Sequence, residues 1–136
     1  MQNYKNILYA IDLDDERVVS VIYALEFAQL FQSRLHVVYV NDSQAGFRHP
    51  TDREDVIALK VKESVPDSLL EAADIEYAAV KGDTAEEIIR YAGQHAIDLV
   101  IVGHRHRSKL FSSLSDSADV NIIDEARIPV LVVPED

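Results

Sequence analysis

Apolar residues gather in five short runs, and between the runs they recur at three- and four-residue spacing. The first run, Asn6-Ile7-Leu8-Tyr9-Ala10-Ile11, is too continuous for a strand with one wet face. It predicts a strand covered on both faces, as in parallel sheets. Leu35-His36-Val37-Val38-Tyr39-Val40, Leu99-Val100-Ile101-Val102 and Val130-Leu131-Val132-Val133 read the same way, the last between Pro129 and Pro134. Ile75-Glu76-Tyr77-Ala78-Ala79-Val80 alternates more and predicts a more exposed strand at a sheet edge.

Between these strands the spacing is helical. Val18, Val21, Ile22, Leu25 and Ala28 predict an amphipathic helix over about residues 16–32. After a loop that runs to His49-Pro50, Val56, Leu59 and Lys60, then Leu69, Leu70 and Ala73, predict a second helical region interrupted by Pro66. Ala85, Ile88, Ile89 and Ala92 form the apolar face of a third helix. Asp83 or Thr84 is its N-cap, and Thr84 with Glu87 has capping-box spacing. A fourth helix over about residues 116–126 buries Ala118, Ile122 and Ile123. Regular alternation with short connections implies right-handed crossovers and a parallel α/β sheet with helices on both faces. The order of the strands in space does not follow from this pattern.

A chain of 136 residues has room for a single domain, residues 1–136, with a core of its own. The absence of cysteine excludes disulfides, thiolate nucleophiles and thiolate metal sites. No run has the length of a signal-peptide core or a membrane span, so the expected location is cytoplasmic. Asp and Glu number 24 against 13 Lys and Arg, for a formal charge of −11. Such a surface repels phosphates, so neither nucleic acid nor membrane is an expected partner.

Arg105, Arg107 and Lys109 are a local exception to that charge. They follow Gly103 and precede Ser112, Ser113, Ser115 and Ser117, where a strand's carboxyl end gives way to a helix N-terminus. Anions commonly sit at such junctions. A solvated basic loop balancing acidic surface is the plainer reading. His104 and His106, with His36, His49 and His95, show no spacing that assembles three or four metal ligands, so no metal site is expected. No G-x-S-x-G elbow is present, which argues against an independent hydrolase.

The junction resembles the universal stress protein family. Nucleotide-binding members carry glycine, two residues, glycine, nine residues, then glycine with Ser or Thr, ahead of a strand of the type Pro-Val-Leu-Val-Val. Here Gly103-His104-Arg105-His106 is followed by the nine residues 107–115, then Asp116-Ser117, and later by Ile128-Pro129-Val130-Leu131-Val132-Val133. Ile7-Leu8-Tyr9-Ala10-Ile11-Asp12 is similar to the family's first strand with its terminal aspartate, and residues 35–40 to its second. Gly82 and Asp98-Leu99-Val100-Ile101-Val102-Gly103 resemble its third-helix and fourth-strand block.

The resemblance implies a Rossmann-like fold of the nucleotide-binding alpha-hydrolase type, with five parallel strands in the order 3-2-1-4-5. It implies a homodimer through Val130-Leu131-Val132-Val133, an apolar edge that needs covering. It also implies a site for ATP with Mg²⁺: Asp12 near ribose and metal, Val40 against adenine, and Gly103, His106, Asp116 and Ser117 in the phosphate loop.

Two of these positions depart from the pattern. Glycines in a phosphate loop let the backbone approach the ligand and adopt positive φ. His106 and Asp116 stand where the second and third glycines would be. His106 has a donor to offer phosphate, whereas Asp116 brings a carboxylate where the ligand's charge belongs and can itself cap the helix. Asp12 has a second reading as a cap of the first helix, and Asp14 and Asp15 replace the family's common Gly-Ser pair and add negative charge. The expected function is therefore a cytoplasmic stress-response dimer that acts by binding, without catalysis and without tightly held ATP, on a regulatory protein partner. The alternative is an adenine-nucleotide sensor with at most slow hydrolysis, which the retained Asp12, Val40, Gly103 and Ser117 favour.

Overall fold

The computed structural model describes residues 4–13, 19–42, 51–104 and 122–134. The strands are β1 Asn6–Ala10, β2 Arg34–Asn41, β3 Asp74–Lys81, β4 Leu99–His104 and β5 Val130–Pro134. The helices are α1 Ser20–Phe31, α2 Glu54–Ser64, α3 Asp67–Glu71 and α4 Thr84–Gln94, followed by a π-helical turn at Ile122–Ala126. All the strands pair in parallel, in the order β3-β2-β1-β4-β5. This is the order implied by the resemblance, and β3 is an edge strand, as its alternation predicts.

Side chains alternate across the sheet with period two, and each face carries its own core. Ile7, Tyr9, Leu35, Val37, Tyr39, Leu99, Ile101 and Val133 pack with Val21, Ala24, Leu25 and Ala28 of α1 and with Ile57 and Val61 of α2. On the other face Leu8, Val38, Val40, Val100 and Val102 pack with Ile88, Tyr91 and Ala92 of α4. Burial on both faces explains why the central strands read as continuous apolar runs. Asp98 fixes the start of the sheet: its carboxylate accepts from the Lys5 and Asn6 amides at 2.9 and 3.0 Å.

Several local expectations are corrected. α1 begins at Ser20 rather than near residue 16, and residues 14–18 lie outside the described segments. Pro66 separates two helices, and α3 begins directly after it. Leu59 is 56% exposed, whereas Ile57 and Val61, one turn apart, are fully buried. Asp83 caps α4 by accepting from the Glu86 amide, so the Thr84–Glu87 capping box does not form. Of the expected fourth helix only the turn Ile122–Ala126 is described; Ala118 and the side chains of Ile122 and Ile123 lie outside the described set.

Candidate functional site

Strand register brings three of the candidate positions together. Ala10 pairs with Val38 on one side and with Val102 on the other. Asp12, two residues on, is therefore level with Val40 at the end of β2 and with the last residues of β4. The Ile11 amide still donates to the Val38 carbonyl at 3.0 Å, so the chain stays beside β2 past the end of β1. α1 covers one face of the sheet and α4 the other, and the strand order reverses between β1 and β4. Open α/β sheets offer their ligand crevice at such a reversal, outside the carboxyl ends of the strands.

Asp12 is half-buried at this rim. The cap position of α1 falls at Val19 rather than at Asp12, and the Val19 side chain makes no capping bond. Val40 is buried in the α4-side core. Gly103 is not a turn residue: β4 continues through it, and Gly103 pairs with Val133. Among the described residues the glycine with positive φ is Gly82, at 145°, so conformational freedom does not account for Gly103. His106, Asp116 and Ser117 lie outside the described residues, as do Asp14, Asp15, Arg105, Arg107, Lys109 and the serines at 112, 113 and 115.

Asp42 belongs to this end of the sheet and is not among the positions that the sequence singles out. It is buried, and one carboxylate oxygen accepts from both the Thr84 amide and the Thr84 hydroxyl at 2.9 Å. The Gly82 amide donates to the Asn41 carbonyl at 3.1 Å. These bonds tie the end of β2 to the start of α4, where free helix amides favour a carboxylate. An Asp directly after an apolar strand run, with a Gly-Asp-Thr turn downstream, is the signal available in the sequence.

A second polar group lies on the α4 face of the sheet, between β2, β3 and α4. His36 is buried within β2. Its Nδ1 lies 2.8 Å from the Tyr91 hydroxyl and its Nε2 3.1 Å from Asn6 Oδ1. Since Asn6 Oδ1 accepts, Nε2 carries the hydrogen, and neutral His36 accepts at Nδ1 from Tyr91. Glu76 stands 3.4 Å from both the Tyr91 hydroxyl and His36 Nδ1, and His95 stacks on Tyr91 at 3.8 Å. Burial lowers the His36 pKa, with Glu76 opposing and His95 and Arg34 reinforcing the effect. Burial and the Glu76 charge push Tyr91 up to about 12. Among the described residues no three metal-ligating side chains converge, and no helix is long and apolar enough to cross a membrane.

The Universal stress protein family profile matches residues 3–134. The chain belongs to the universal stress protein family. The Universal stress protein A homolog of Haemophilus influenzae is 27% identical, over 96% of each chain. A universal stress protein solved in complex with cAMP superposes with a TM-score of 0.64 at 19% identity, over 97% of this chain and 98% of that one. The universal stress protein of Archaeoglobus fulgidus, solved in complex with dAMP, gives a TM-score of 0.58 at 20% identity, over 97% and 99%. At these identities the structures speak for the fold.

Proposed function

We propose that this universal stress protein is a non-catalytic regulatory dimer that acts by binding and does not hold ATP tightly. The observation that carries the reading is a mismatch between two halves of one site. Asp12, Val40 and Gly103 each lie one or two residues past the Ala10–Val38–Val102 register at the topological switch point, which suits the nucleoside part of a ligand. The family's phosphate-loop pattern carries His106 and Asp116 in place of glycines here, and Asp116 adds negative charge to the stretch that would meet phosphate. The switch-point residues fit an adenine nucleotide; the phosphate side opposes a triphosphate.

The dimer reading is supported by β5, an edge strand of the described sheet with Val132 exposed upon it. An uncovered apolar edge strand is a template for pairing. Sedimentation of a dimer at micromolar concentration, and native mass spectra of protein purified without nucleotide showing no ATP, are the expected results. Co-purified ATP, or a monomer under these conditions, would contradict the proposal.

The ATP-sensor reading draws support from the same Asp12, Val40 and Gly103, with Ser117, and from relatives solved with cAMP and dAMP. Adenine nucleotide bound tightly, with phosphate number making little difference, would favour it.

A further inference from the structure

The outer line of α1 carries residues that a solvated helix would make polar. Val21, Ala24, Leu25 and Ala28 turn toward the sheet, yet on the opposite side only Glu26 and Gln29 are polar. Val19 and Tyr23 are each 47% exposed and Leu30 is 72% exposed. With Glu26 they fall at spacings of four, three and four residues, within one narrow stripe of the helix surface. Half-buried Ile22 and Phe27 flank the stripe. An α-helix apolar on both sides is normally covered on both. Val19, Tyr23, Glu26 and Leu30 form a heptad-spaced seam of the kind that receives another helix.

We propose that this seam docks an amphipathic helix of positive charge from a partner protein. Charge selects that occupant over a second copy. Glu26 sits inside the seam, and among the described residues no cation pairs with it. A second copy docked on this seam would set its own Glu26, a like charge, against this one. A helix with Lys or Arg beside its apolar positions meets Glu26 and the net negative charge of the chain with the opposite sign. Tyr23 suits such a contact, having an apolar ring and a polar tip. Four side chains are far fewer than the roughly 20–30 residues a side of a stable interface, so the contact is a reversible one.

The test uses the full chain and a fluorescent peptide of about 18 residues with Leu at a and d, Lys at e and g, and Ala elsewhere. Repulsion among its lysines keeps it from pairing with itself. An otherwise identical peptide carries Glu at e and g. The basic peptide is expected to bind about tenfold or more tightly than the acidic one, with amide shifts confined to α1. Leu30→Gln, at a site too exposed to endanger folding, is expected to weaken it about tenfold, and Glu26→Lys to reverse the preference. Equal binding of both peptides, no binding up to about 1 mM, or full affinity in Leu30→Gln would overturn the proposal. Self-association lost in Leu30→Gln would also overturn it, by assigning the seam to a second copy.

Discussion

Replacing Asp42 with alanine removes the carboxylate that holds the end of β2 to the start of α4. Two hydrogen bonds go with it, from the Thr84 amide and hydroxyl, both at 2.9 Å. Bonds to a charged group contribute about 1.5–3 kcal/mol each. Thr84 is half-buried, so water recovers part of the loss at its amide, and the cost falls below most of the summed range of about 3–6 kcal/mol. The expected cost is about 2–4 kcal/mol, against the ~1 kcal/mol expected for removing the exposed N-cap in Asp83→Ala. With a urea slope of about 2 kcal/mol/M, that moves the unfolding midpoint of Asp42→Ala down by about 1–2 M. Asp42→Asn keeps an acceptor without the charge and should fall between wild type and Asp42→Ala. Equilibrium urea unfolding of the set, followed by circular dichroism, decides the matter. A midpoint for Asp42→Ala no lower than that for Asp83→Ala would refute the assignment of Asp42 as the buried tie.

Three further outcomes follow from the packing and the polar cluster. His36 resists protonation in the folded state because of burial, so its contribution is present above its unfolded pKa of 6.5 and is lost as pH falls toward the lowered folded value. The stability difference between wild type and His36→Gln should therefore shrink as pH falls from about 7 to 5, and a difference independent of pH would contradict this. Ile57→Ala should cost about 2–4 kcal/mol by urea unfolding and Leu59→Ala less than about 1, since Ile57 is buried and Leu59 is exposed. Gly82→Ala should cost about 1–2 kcal/mol by thermal unfolding: φ is 145°, and an added Cβ meets the Glu87 side chain at 2.9 Å.

The strands are legible in the sequence because two-sided burial leaves few polar positions in them, and β3 stands out because an edge strand meets water. α2 is harder. Its apolar residues lie on more than one side, and only packing against α1 and β3 distinguishes Ile57 and Val61 from Leu59. His36 is a lone polar residue inside an apolar run, and its partners come from β1, β3 and α4, far away in sequence. No local spacing predicts that convergence. Asp12 and Val40 are legible through the family pattern, and register then shows that they share a level. Asp42 escapes because a carboxylate after a strand reads equally well as the beginning of a loop.

We propose that this universal stress protein takes the nucleoside part of a ligand at the switch point while the charge of Asp116 opposes a triphosphate. Calorimetric titration of wild type and Asp116→Gly with ATP and Mg²⁺ tests it most directly. The expected wild-type dissociation constant is about 1 mM or weaker, tightening by about tenfold or more in Asp116→Gly. Micromolar ATP binding by the wild type, or identical affinities in the two proteins, would contradict it.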